Sequence, residues 1–130
     1  MITATDIANI LYKDCLAFGI DCYQGDNAPA GEISKERIVI HSKPLMPEKY
    51  WRKSFPEINI CVPDNKKGQS QLIRLNELDR MSDSILDGVV GQHDGSNYSY
   101  SISSKGVESD TQLKCHYVNV KILFEILNVK

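Results

Sequence analysis

The stretch KCHYVNVKILFEIL, residues 114–127, sets a thiol beside an imidazole at the head of a long apolar run. A Cys–His nucleophile needs the two side chains within hydrogen-bond reach. Successive side chains of a strand, however, point to opposite faces. His116, Val118, Val120, Ile122, Phe124 and Ile126 share one face, and Cys115, Tyr117, Asn119, Lys121 and Glu125 share the other. The spacing therefore predicts no Cys115–His116 dyad. His116 is expected at a sheet edge with the cysteine turned away.

The remaining thiols offer little more. Cys61 ends one β-branched run and His41 ends another; antiparallel pairing of those runs would put them at opposite ends of the ladder. Cys15 falls on an apolar helix face, where a thiol behaves as a small hydrophobe. Three histidines and four cysteines are spread along the chain without the short ligand spacings of zinc sites, and no Gly-rich run joins a strand to a helix. No catalytic residue, metal or cofactor is expected. With no CxxC pair and no export signal in MITATDIANILYKDCLAFGI, reduced thiols in a cytoplasmic setting are expected.

Charge is more informative. Asp79, Asp83 and Asp87 form an i, i+4, i+8 stripe along the second helix. Like charges in line weaken a helix unless an opposite charge covers them. Residues 35–53 carry Lys35, Arg37, Lys43, Lys49, Arg52 and Lys53 against Glu36 and Glu48, so one region is basic and another acidic. The segment YWRKSF adds Tyr50 and Trp51 beside Arg52 and Lys53, the composition of an interface anchor. The candidate interface is therefore Lys49, Tyr50, Trp51, Arg52 and Lys53 against Asp79, Asp83 and Asp87 of a second copy, head to tail.

These residues need elements to carry them. At 130 residues, 42% hydrophobic, 25% charged and net charge −2, the chain is expected to form one domain, residues 1–130, without a global pull toward nucleic acid or membrane. No run is long and apolar enough to span a bilayer. Residues 5–18 have helical periodicity, with Thr5 as N-cap and Gly19 as stop. IDCY at 20–23 is a possible short strand; RIVIH (37–41) and EINICV (57–62) read as two more. The prolines of residues 43–57 predict a surface excursion without regular structure. Residues 72–90 read as the second helix, QHDGSN as a turn, and 98–104 with 114–127 as a long antiparallel hairpin. The expected fold is α+β: a mainly antiparallel sheet with two helices packed on one face, in the order α-β-β-α-β-β.

This order, carried by DIANILYKDCLAFGI, RIVIHS, EINICVPD, LNELDRMSDSILDGVV and HYVNVKILFEI, resembles the tail-terminator or tail-completion proteins of long-tailed bacteriophages and prophages. The resemblance lies in the pattern of elements and in no signature motif; the excursion at 43–57 is longer than the family's connection requires. It implies a non-enzymatic subunit of a ring, often a hexamer, at the head–tail junction. Its partners would be tail-tube and head-connector proteins, and its location the host cytoplasm during assembly and then the virion. Two rival readings stand beside it. One is a small cytoplasmic enzyme or ligand-binding domain built from Cys61, His41 and the aspartate stripe. The other is a nucleic-acid module using Tyr50, Trp51 and the basic segment, with salt-sensitive binding.

Overall fold

In the computed structural model, which describes residues 1–127, helix α1 (Ala4–Cys15) starts from Thr3 and not Thr5. Thr3 Oγ1 accepts from the Asp6 amide at 3.1 Å, and Asp6 Oδ2 accepts from the Thr3 amide at 2.9 Å. This reciprocal box satisfies two of the amides that a helix start leaves open. The expected extent to residue 18 is met by a tighter 3₁₀ turn, Leu16–Phe18, before Gly19 closes it at φ 72°.

Strand β1 (Asp21–Gln24) runs parallel to β2 (Arg37–His41), and β2 pairs antiparallel with β5 (Glu57–Pro63). The segment between β2 and β5 departs from the expected irregular excursion. It contains a hairpin of β3 (Met46–Pro47) and β4 (Trp51–Ser54), and β4 joins the main sheet. Pro47 lies in a two-residue edge strand, where a missing amide is tolerated. Pro56 separates β4 from β5 and still accepts from the Ile122 amide through its carbonyl.

Helix α2 (Leu72–Ile85) ends five residues before the expected boundary. Gly88, at φ 66°, turns the chain into β6 (Val89–His93), which pairs with β7 (Ser96–Asp110) through the two-residue loop Asp94–Gly95. Both loop residues have positive φ, the conformation that matches strand twist in tight hairpins. Strand β7 then pairs with β8 (Cys115–Leu127) along nearly its whole length. The expected terminal hairpin is present, longer than read on the first arm, and the order is enlarged by β1, β3, β4 and β6.

The result is an α+β fold with two helices and a mostly antiparallel sheet of eight strands among the described residues. Strand β8 is its axis: β5 and β4 follow one another along one edge, and β7 lines the other. Ile38, Ile40, Ile58, Ile60, Val62, Val118, Val120, Ile122, Phe124 and Ile126 alternate onto the face that meets Ile7, Leu11, Leu75 and Leu78 of the helices. Each such aliphatic side chain contributes roughly 1.5–3 kcal/mol on burial, so this face dominates the core. The opposite face carries a smaller cluster of Ile33, Cys61 and Cys115, with Leu113 and Tyr117 beside it, under the loop of residues 25–36.

Candidate interaction surface

The hairpin β3–β4 holds the basic and aromatic candidates. Arg52 Nη1 donates to the Ile2 carbonyl at 3.1 Å, tying the hairpin to the start of the chain. Lys53 Nζ lies 3.5 Å from Glu48 Oε2, and Lys49 Nζ stands 5.2 Å over the Tyr50 ring. Tyr50 is well exposed at the tip. Trp51 is neither core nor fully free: 37% exposed, it walls an apolar groove of about 570 Å³ with Val90, Tyr98 and Leu127. Gly91 makes room for this arrangement. A Cβ there would fall 2.4 Å from the Tyr98 hydroxyl oxygen.

The aspartates sit elsewhere, and they have a partner inside the chain. Lys105 Nζ reaches Oδ1 of both Asp79 and Asp83 at 2.6 Å and donates to the Asp79 carbonyl at 3.1 Å. Burial pulls the Lys105 ammonium pKa down, but its bonds to Asp79 and Asp83 raise it overall. Asp87 Oδ1 accepts from the Ile102 amide at 2.9 Å. Lys49–Lys53 and the aspartates therefore do not meet within one chain.

Sequence reasoning missed Lys105 for a definite reason. The register shifts between Ile102 and Ser104, so one residue is skipped and the alternation changes parity. Lys105 thus pairs with Val120 and comes to the helix face, which a count from Tyr98 and Tyr100 would not give. A lysine three to five residues beyond an apolar alternation, facing an acidic helix, was the available signal.

The reactive-pair candidates are separated. His116 Nδ1 lies 2.7 Å from Asp64 Oδ1, while Cys115 is buried on the opposite face. Arg37 pairs with Cys61 and His41 with Glu57, so Cys61 and His41 stand four positions apart on the ladder, roughly 13 Å at the usual rise. Asp79 and Asp83 bond Lys105 on the helix side, whereas Cys61 lies on the other. Cys61 and His41 line one cavity from separate positions on the ladder, and the aspartates of the dispersed-site reading lie away from it. Among the described residues no three His, Cys, Asp or Glu side chains gather as metal ligands would, and no helix is long and apolar enough to cross a membrane.

Burial pushes the Cys15 thiol well above its usual range, with Cys22 and Asp14 adding to the effect. Burial likewise raises the Tyr100 phenol, whose hydroxyl donates to Asp14 Oδ2 at 2.6 Å. The Tyr100 and Tyr98 rings both stack on Phe124, with centroids 5.5 and 5.1 Å away. These groups brace α1 against the sheet, behind the groove.

No family model and no curated protein matches the chain. A solved structure whose name carries no function aligns over 98% of this chain and 96% of its own, with a TM-score of 0.60 and 11% identity. At that identity the likeness shows a shared fold and nothing more.

Proposed function

We propose that this chain is a self-assembling structural subunit of the ring-forming kind that phage tail-terminator proteins represent. On this reading it has no catalytic role, and its activity is to close a ring and offer docking surfaces to neighbouring assembly proteins. The observation that carries the reading is the placement of two unlike exposed surfaces. Strand β4, with Trp51 opposite Leu127, lies at one end of β8. The start of α2 lies toward the other: Gln71 Nε2 donates to the carbonyl of Pro63, which pairs with Cys115. Thirteen strand residues separate those ends by about 40 Å.

The first surface offers Tyr50 and Trp51 with Lys49 and Lys53. The second offers Leu72 and Ile73, 67% and 83% exposed, with Glu77 and Asp83 farther along the helix. The aromatic surface and the aliphatic one can anchor each other, with the charged side chains at the rim, where Glu77 is already bonded to Arg74 and Asp83 to Lys105. Two different patches at opposite ends give a head-to-tail contact, which closes into rings when the rotation allows. Because Lys105 already bridges Asp79 and Asp83, the acidic helix supplies a rim, while the apolar side chains supply the anchor.

Native mass spectrometry and particle imaging test this directly. Closed rings with an open lumen are expected for the wild type, and monomers for Trp51→Ala and for Ile73→Asp. Each variant keeps one intact surface, so mixing the two is expected to give a one-to-one dimer and nothing larger. A monomer at high concentration in low salt, or rings that survive both substitutions, would refute the reading.

A further inference from the structure

Arg37 is a buried cation without a carboxylate. It lies on β2 facing away from the helices, 8% exposed, and its Nη1 donates to the Pro29 carbonyl at 2.7 Å. Its Nε–H has no hydrogen-bond partner, and the ion pairs among the described residues do not include it. Buried charges are normally neutralised by a neighbour, since an isolated one is costly. The register supplies a neighbour. Arg37 stands directly opposite Cys61, itself 3% exposed. Cys61 shares a cluster with Cys115, which lies on β8 two positions from Tyr117, the direct partner of Cys61. Guanidinium and two thiols thus follow one another across three adjacent strands.

We propose that Cys61 is a thiolate serving as the counterion of Arg37, and that it is the chain's site of covalent modification by small uncharged electrophiles such as hydrogen peroxide. A cavity of about 320 Å³ beneath the 25–36 loop is lined by Arg37, Cys61, Asn59 and Tyr117, giving such a molecule a way in. The local charges agree. A hydrogen bond from Cys115 draws the Cys61 thiol down, burial opposes it, Arg37 adds to the lowering, and Asp110 resists. Cys115 is pushed up by the same hydrogen bond, with burial adding to the effect. Asp26, His41, Asp110 and Tyr117 are the other titratable groups around the cavity, and among the described residues no ion pair joins either aspartate to Arg37.

The reaction balances without a further reagent. The Cys61 sulfur attacks one peroxide oxygen, an S–O bond forms as the O–O bond breaks, and hydroxide leaves. The sulfenic acid produced is neutral, so Arg37 loses its counterion. The loop that Arg37 holds through Pro29 then opens more easily. The 3.8 Å contact of Cys61 Sγ with the Asn59 carbonyl is a long one, and ionisation of the thiol gives it up.

Thiolate absorbance near 240 nm decides the protonation state without requiring access. One thiolate is expected at pH 7 in the folded wild type, lost in Cys61→Ser and moved to alkaline pH in Arg37→Met. Arg37→Lys retains a cation, and its signal should survive. Absence of the signal in the wild type, or its persistence in Cys61→Ser, would overturn the proposal, and an unshifted signal in folded Arg37→Met would overturn the counterion role. With hydrogen peroxide and peptide mass spectrometry, Cys61 is expected to gain oxygen before the more exposed Cys22. Arg37→Met should slow this by about tenfold or more, the equivalent of one pKa unit. Oxidation should also hasten proteolysis within residues 25–36. Oxidation of Cys22 first would overturn the modification site.

Discussion

Replacing Lys105 with methionine keeps the aliphatic stem and removes the charge that joins β7 to α2. The Lys105 side chain is 18% exposed, Asp79 33% and Asp83 63%. The bond to Asp83 is thus close to a surface pair, contributing roughly 0.2–1 kcal/mol. The bond to Asp79 is better shielded; charge-assisted bonds reach about 1.5–3 kcal/mol, and partial exposure discounts this one toward the lower end. Loss of both leaves Asp79 and Asp83 one helical turn apart without their shared cation, adding a few tenths of a kcal/mol, roughly the scale of an i, i+4 like-charge pair. The sum is about 2 kcal/mol.

Urea unfolding gives the assay, and a double-mutant cycle with Asp79→Asn should return a coupling of about 1 kcal/mol. High salt should weaken the effect only in part, because the shielded pair is less screened than an exposed one. The pH sign follows from the raised Lys105 pKa. Its contribution is fully present below the unfolded value, near 10.4, and is lost as pH rises through the folded one. Wild type should therefore lose stability at alkaline pH faster than Lys105→Met. A total effect below about 0.3 kcal/mol, with no coupling to Asp79, would refute the reasoning, since the bridge would then act as an ordinary surface pair.

Gly91→Ala should lower stability by about 1–3 kcal/mol in thermal or urea unfolding, because its Cβ meets the Tyr98 ring carbons at 2.5–3.0 Å and the hydroxyl closer still. Asn119→Ala removes a buried amide that donates to Glu57 at 3.1 Å and Asn59 at 2.7 Å, costing about 1–3 kcal/mol by urea unfolding. The Asn119 bond is the largest influence lowering the Glu57 pKa, followed by Lys43 after burial's opposing effect. The Glu57 contribution is present above its unfolded value and lost as pH falls through the folded one, so NMR titration of Asn119→Ala should find Glu57 protonating at higher pH. Thr3→Ala should cost about 1 kcal/mol by chemical denaturation and raise amide exchange in the first turn of α1.

What the sequence made legible was whatever its alternation encoded without interruption. RIVIH and EINICV kept their bounds to within a residue, and from Val118 onward the even positions of KCHYVNVKILFEIL do turn toward the core. The helical period misled at Val89, which continues the apolar face of α2 on paper but follows Gly88 into β6. Proline content misled at 43–57, where an edge strand and a strand break accommodate both Pro47 and Pro56. Thr5 precedes the apolar period that begins at Ile7, but the carboxylate that completes the box, Asp6, stands three residues after Thr3. Composition marked the aromatic-basic segment as a candidate, though not as a hairpin. It could not find that a skipped residue in β7 sends Lys105 to the aspartates, or that register brings Arg37 opposite Cys61. Both facts depend on pairing between distant segments, which local pattern does not carry.

The position of β8 has a consequence for the order in which the molecule can form. It follows every other described strand in the chain, yet β4, β5 and β7 all pair with it. Until residues 115–127 emerge during synthesis, the edges of β5 and β7 have no strand to hold them together, and α2 has only part of its floor. Ile58, Ile60 and Val62 then remain open to the wrong partner. Folding is therefore expected to be a late, concerted step with long loops to close, and so a slow one. A nascent chain stopped before residue 115 should be a protease-sensitive intermediate.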